Sequence, residues 1–368
     1  MSLTTRCPAN EAALRRLRHI TATAVPRAVP QLSATPCAGT PISELEGEAI
    51  GRLSAVKVAL LKIGERGVHL GSRAEVEKLF QQRSLEPVWV ESEDAIPADA
   101  TVLVTTGTPI GASVLAKMPK LKLLAVAFTG IDHIDVAACK ARGVTVTNVP
   151  NYSTEATAEL TIGLVLAQLR RLPKCHQIVQ EGQWSSPPQD DLQSKTVGIV
   201  GVGKIGMRLA ELFKAFKVKK LLGYSLTQEA EFTANGGMYT DSLAELFLDS
   251  DIVCVCVPLT QKTEGIISEK LLGLLRPECL LVNVSRGGVV DEAVLAKLLG
   301  QGRFRAALDV YRTEPLPKDD PLRAVHSDAI LMTPHVGYQS LASLEKRLDG
   351  TVKNILAFLA GQAINSVA

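Results

Sequence analysis

The sequence predicts an α/β protein of two parallel sheets, and three observations predict it. From Val56 onward, short apolar runs alternate with helical stretches, the pattern of strand and helix units. A glycine turn, Gly201-Val-Gly203-Lys-Ile-Gly206, directly follows one apolar run and opens a helical one. The 368 residues also exceed what one ordinary core organises, so two domains are expected.

The first fifty residues stand apart from this pattern. They carry Arg6, Arg15, Arg16, Arg18 and Arg27, no lysine, and Glu11 as the one acid before Glu44. An arginine-rich, acid-poor leader resembles an organelle transit peptide; the alternative is a disordered extension that stays attached. The expected location is the cytoplasm, or a mitochondrion or plastid if the leader is a transit peptide.

The first strands are predicted at Val56 to Ile63, Val102 to Val104, Leu123 to Phe128 and Val144 to Thr147, after which Pro150 breaks the chain. Ser153, Thr154 and Glu155 cap a helix whose apolar stretch runs through Leu172 and suits a connector between domains. A second series follows at Val197 to Val200, Leu221 to Tyr224, Ile252 to Val257, Leu280 to Val284, Ala306 to Val310 and Ile330 to Met332. Helical segments separate most of these strands, which describes an open, doubly wound sheet. The tail from Leu341 to Leu359 has helical periodicity and is expected to return to the first domain. That makes the first domain discontinuous, residues 51–152 plus 336–368, around a second at 153–335.

Composition narrows the function. Charged residues make up 21% and the formal net charge is +2, so the chain lacks the field of a nucleic-acid binder. No apolar run reaches the roughly 20 residues that cross a bilayer; even Leu160 to Leu169 is interrupted by Gly163 and Gln168. The cysteines Cys7, Cys37, Cys139, Cys175, Cys254, Cys256 and Cys279 show no zinc or redox spacing and read as reduced thiols in an intracellular protein. No metal site is expected.

The glycine turn is the most specific local signal. Gly201 permits the tight turn, Gly203 lets backbone amides approach a pyrophosphate, and Gly206 lets helix and strand pack closely. An acid about 20 residues on would bind the ribose hydroxyls of NAD, but Ser225 stands there. No lysine or arginine between Lys220 and Lys262 attracts a 2′-phosphate instead. NAD and NADP both stay open.

Three further segments lie just past apolar runs, where open α/β sheets bind ligands. Asn283-Val-Ser285-Arg286-Gly287-Gly288 offers Arg286, whose fork grips a carboxylate or keto oxygen where lysine would be a point charge. A surface arginine beside a glycine turn is the bland alternative. Asp309-Val-Tyr-Arg-Thr-Glu314-Pro315 and Thr333-Pro334-His335-Val-Gly337 offer Glu314 and His335. Hydride addition to a ketone builds charge on oxygen, and a histidine can donate the proton if a carboxylate orients it and favours its protonated form. A lone histidine is more often structural; the neighbours at equivalent sheet edges argue for chemistry.

Together these segments resemble the D-isomer-specific 2-hydroxyacid dehydrogenases, in particular the hydroxypyruvate/glyoxylate reductase and glycerate dehydrogenase group. The match covers roughly residues 56 to 368 and rests on VAFTGIDHID at Val126 to Asp135, NVPNYSTEATAE at Asn148 to Glu159, VGIVGVGKIG at Val197 to Gly206, VPLTQKTEGII at Val257 to Ile267, NVSRGGVVDE at Asn283 to Glu292, ALDVYRTEPLP at Ala307 to Pro317 and TPHVGY at Thr333 to Tyr338. The resemblance implies two Rossmann-like domains, the smaller discontinuous one flavodoxin-like. It implies Arg286 as the substrate arginine, His335 as acid/base and Glu314 as its partner, with the amides around Thr129 and Gly130 on the substrate carboxylate. It places Gly201, Gly203, Lys204, Ile205, Gly206, Ser225, Pro258, Thr263 and Gly337 about the dinucleotide, Thr260 at its adenosine end and Asp309 on the nicotinamide carboxamide.

The expected function is therefore hydride transfer between NAD(P)H and C2 of a small 2-keto acid, giving a D-2-hydroxy acid, in a homodimer. Lactate-type, glyoxylate, hydroxypyruvate and bulkier keto acids remain open. Departures from the family pattern are Ser225, the glycine-free lead-in Asp190 to Lys195, and Cys256 where many members carry histidine. The alternative is an NADH-sensing corepressor-like scaffold of the same fold.

Overall fold

The structure, a computed structural model, describes residues 56–62 and 73–367. The leader and Ile63, the last residue of the first predicted strand, lie outside them. The first part comprises β1 (Val56–Leu61), α1 (Arg73–Gln81), β2 (Leu85–Val90), β3 (Val102–Thr105), α2 (Ala112–Ala116), β4 (Leu123–Val126), α3 (Val136–Ala141) and β5 (Thr145–Thr147). Next come α4 (Thr154–Leu169), α5 (Leu172–Gln180), β6 (Thr196–Val200), α6 (Lys204–Ala215), β7 (Lys220–Tyr224), α7 (Ala230–Ala234), β8 (Gly237–Tyr239), α8 (Leu243–Asp249) and β9 (Ile252–Val255). The chain ends with α9 (Glu269–Leu272), β10 (Leu280–Asn283), α10 (Glu292–Gly300), β11 (Arg305–Leu308), β12 (Ile330–Met332) and α11 (Leu341–Leu359).

Among the described residues every pair of these strands is parallel, in two sheets. One runs β2-β1-β3-β4-β5 and the other β12-β11-β10-β9-β6-β7-β8. The first is the flavodoxin-like order and the second the doubly wound order extended by one strand, so each sheet has a switch point where strand order reverses. Strands buried on both faces explain the unbroken apolar runs: β3, β4, β6, β9 and β10 hold no exposed residue.

Two strands escaped the sequence reading. β2 contains Pro87, which cannot donate to a ladder, and it sits at the sheet edge pairing with β1 alone. β8 is three residues long and also an edge. The predicted helix through Leu172 is in fact two: α4 stops at Leu169, Arg171 turns left-handed with φ 50°, and Leu172 opens α5 with Pro173 in its first turn. α4 is buried over most of its surface, packing against α6 and the strands β10 and β11, with Glu155, Glu159 and Gly163 as its exposed stripe. α11 runs over the predicted residues and buries Val352, Ile355 and Leu356 against Val58, Leu60, Val104 and Leu123 of the five-stranded sheet.

Candidate active site

The carboxyl ends of both sheets supply the site. After β6, Gly201 has φ 95°, and a Cβ there would meet the backbone nitrogen of Val257 at 2.9 Å. A Cβ on Gly206 would run into the carbonyl oxygen of Gly201, so α6 can approach the strand only with glycine there. Gly203, at the N-cap of the twelve-residue α6, has open space around it. Lys204 is exposed and Ile205 half-buried beside it. This cradle suits a dinucleotide pyrophosphate: positive helix end, close backbone, no side chain in the way. Ser225 follows the carboxyl end of β7, half-buried. The Thr263 hydroxyl is used inside its own turn, donating to the Pro258 carbonyl at 2.5 Å and accepting from the Thr260 amide at 2.8 Å.

Arg286 lies just beyond β10, at the start of a 3-10 turn, Gly287–Val289. Asn283 ties that turn down: its side-chain amide donates to the Arg286 carbonyl at 3.0 Å, and its oxygen accepts from Ser285. A Cβ on Gly287 would collide with the backbone of Tyr311 and Arg312, so glycine lets the Glu314 loop sit directly on the arginine turn. The guanidinium Nε donates to both oxygens of Asp132, at 3.1 and 3.3 Å, and Nη1 to the Ser285 carbonyl. Nη2 lies against Gly130, where a Cβ would overlap it.

Asp132 is a site residue the sequence reading did not assign, although it stands two residues past Gly130. Its signal was complementary charge, which decides nothing until the fold brings it to Arg286. Thr129 and Gly130 are held from behind: the Asn148 amide donates to the Thr129 carbonyl at 2.7 Å and the Thr129 hydroxyl to the Val149 carbonyl at 2.8 Å. Neither backbone amide of the pair has a partner among the described residues, so both are free to bind an anion.

His335 adopts φ 54°, a conformation uncommon outside glycine and stabilised here by Asp309. The buried Asp309 carboxylate accepts from the Thr333 hydroxyl at 2.6 Å and from the amides of Val336 and Gly337, both at 2.8 Å, while its carbonyl accepts the His335 amide. Burial pushes the Asp309 carboxyl up, and these donors moderate the rise. His335 Nδ1 lies 2.7 Å from Glu314 Oε2, and Glu314 Oε1 accepts the Tyr311 amide. Burial alone would raise the Glu314 carboxyl; the hydrogen bond and charge of His335, the Tyr311 amide and the Arg286 charge bring it below the usual glutamate value. An ionised Glu314 accepts, so Nδ1 carries the proton and Nε2 is the atom left for a substrate. Among the described residues no group of histidine, cysteine or carboxylate side chains could hold a metal ion, and no helix is long and apolar enough to cross a membrane.

The fold places the guanidinium, the imidazole and the carboxylate of three distant segments in one neighbourhood. The family model described as D-isomer specific 2-hydroxyacid dehydrogenase, NAD binding domain, matches residues 162–337. A glyoxylate reductase of Thermofilum pendens is 36% identical over 262 residues, 69% of this chain and 76% of that protein. The chain belongs to the D-isomer-specific 2-hydroxyacid dehydrogenases.

Solved members of this dehydrogenase fold superpose over most of the chain. A D-lactate dehydrogenase from Aquifex aeolicus, complexed with NAD and lactic acid, gives a TM-score of 0.75 at 29% identity, covering 83% of this chain and 96% of that one. An NADPH-dependent glyoxylate/hydroxypyruvate reductase from Sinorhizobium meliloti, in complex with NADP and malonate, gives 0.74 at 29% identity, covering 86% and 97%. The chain is accordingly an NAD(P)-dependent oxidoreductase of 2-hydroxy and 2-keto acids. Nothing in these likenesses favours the corepressor-like scaffold.

Proposed function

We propose that this dehydrogenase reduces a small 2-keto acid to the D-2-hydroxy acid, with Arg286, Glu314 and His335 as its chemical centre. The carrying observation is the 2.7 Å pairing of His335 with Glu314 beside a guanidinium whose Nη2 lies against Gly130. The glycine turn at Gly201, Gly203, Lys204, Ile205 and Gly206 would hold the pyrophosphate, with Ser225, Pro258 and Thr263 toward the adenosine. Asp309 and Gly337 would stand at the nicotinamide end. The reduced dinucleotide, when bound, supplies the hydride that C2 receives. Thr129 and Gly130 hold the C1 carboxylate, Arg286 orients the keto oxygen, and His335 Nε2 gives a proton to that oxygen as charge develops on it. The glyoxylate reductase relatives make glyoxylate and hydroxypyruvate the first substrates to assay.

The domain boundaries that fit this reading are 51–152 plus 336–368 for the substrate domain and 153–335 for the cofactor domain, since α11 packs on the five-stranded sheet. We further propose a homodimer formed over α5 and the segment after it, where Leu172, Val179 and Trp184 are 53%, 57% and 93% exposed. A leader that is a transit peptide would put the enzyme in an organelle, and one retained would leave it in the cytoplasm.

The test is a panel of 2-keto acids assayed with NADH and NADPH on the wild type and His335→Ala. The variant is expected to lose about 10²- to 10⁴-fold in turnover with little change in substrate binding. Near-normal turnover would remove His335 from the acid/base role.

A further inference from the structure

Arg347, on α11, has no solvent exposure, yet none of its three guanidinium nitrogens makes a well-formed hydrogen bond among the described residues. Among the described residues no carboxylate pairs with it; its company is aromatic, with the guanidinium carbon 5.2 Å from the Phe128 ring, 5.2 Å from Tyr338 and 5.9 Å from Tyr152. Ring faces compensate the charge in part. They leave the in-plane N–H donors unmet, and an orphaned buried guanidinium is the costliest kind of unpaired group.

That cage is also the wall of the candidate active site. Phe128 immediately precedes the Thr129 and Gly130 amides, and the Tyr338 ring stands edge-on to the His335 imidazole at 5.8 Å. The two ring distances put the Arg347 guanidinium within about 11 Å of His335. Burial pushes the Tyr152 hydroxyl up; the charge of Arg347, its approach to that hydroxyl short of a well-formed hydrogen bond, and the charge of Arg286 pull against the rise, so this ring feels the two cations at once. Tyr152 and Tyr338 keep 6% and 7% exposure while Arg347 keeps none, so the rings and not the guanidinium meet solvent.

We propose that Arg347 recognises a second carboxylate on the substrate, which makes this chain a reductase of 2-keto dicarboxylic acids. The inference rests on the keto-acid reading above and deepens it: the C1 end lies at Thr129, Gly130 and Arg286, and the distal carboxylate reaches Arg347 as Tyr338 or Tyr152 rotates aside. Rotamer changes of this size are common on binding. A planar carboxylate fits the guanidinium fork with two parallel hydrogen bonds. A phosphate would call for more donors than one guanidinium between three rings provides.

The experiment compares 2-oxoglutarate and oxaloacetate with glyoxylate, pyruvate and 3-phosphohydroxypyruvate on the wild type, Arg347→Met and Arg347→Lys. The wild type is expected to prefer a dicarboxylate in kcat/KM, and Arg347→Met to lose about 100-fold on it, mainly through KM, with a far smaller loss on glyoxylate. Arg347→Lys should fall between them. Methionine in a buried charge's place is commonly tolerated; should that variant not fold by circular dichroism, the lysine variant carries the comparison. A wild type that reduces monocarboxylates or the phosphate ester in preference, or equal losses on all substrates, overturns the proposal. If no keto acid is reduced at all, the reductase reading fails separately. Calorimetric titration with 2-oxoglutarate in the presence of NAD then decides: binding lost in Arg347→Met upholds the Arg347 site, and no binding in the wild type overturns it.

Discussion

Gly130 shows how narrowly single residues constrain the site. Its missing Cβ is the space that Arg286 Nη2 fills, so the two segments meet without a gap. Gly130→Ala must displace the guanidinium, and displacements near 1 Å cost on the order of 100-fold in rate, so kcat/KM should fall by about 10- to 100-fold in steady-state assays. Unchanged kcat/KM in a folded variant would remove Arg286 from substrate binding. Glu314 makes a pH-dependent case. Its carboxyl is lowered in the folded protein, so its pairing contributes stability above its ordinary value of 4.5 and loses it as pH falls through the lowered one. The stability gap between wild type and Glu314→Gln, read from urea midpoints, should be full at neutral pH and close progressively as pH falls below 4.5. A gap that is the same at both ends contradicts the pairing.

At the scale of elements, glycines decide where helices and turns can come close. Gly206 brings α6 onto Gly201, and the helix N-terminus then points its amides where β6 ends. Gly206→Ala pushes a methyl into a backbone carbonyl that cannot move aside, so α6 must retreat. NADH affinity, followed by fluorescence titration, should weaken by about tenfold or more. Affinity equal to wild type would mean the helix end does not hold the dinucleotide. Much of this level was readable in advance. The turn, six of the seven strands of the larger sheet and α11 are local patterns of glycine placement and apolar period. β2 and β8 were not readable, because edge strands need only one apolar ladder and tolerate Pro87. The break at Arg171 was hidden as well, since the mostly buried apolar stretch before it continues into Leu172 without a change in composition.

At the scale of the molecule, the Arg286 and Asp132 pair joins a loop of one sheet to a loop of the other across the site. The exposed apolar side chains of α5 and its following segment belong to this scale too. Light scattering should give about twice the 39.3 kDa chain mass for the wild type, and Leu172→Asp with Trp184→Ser should return it to one chain. A wild type of single-chain mass would leave that face without its proposed partner.

The sequence by itself determined the fold class and the glycine turn, and it singled out Arg286, Glu314 and His335 as candidates, because each is written in residues within a few positions of one strand end. Only the tertiary structure decided which charges meet. Asp132 and Arg286 are 154 positions apart, and Arg347 is separated by far more from Phe128 and Tyr152 than from Tyr338. Local patterns record burial and turn geometry, whereas an ion pair or an orphaned cation exists only once the chain has closed around it.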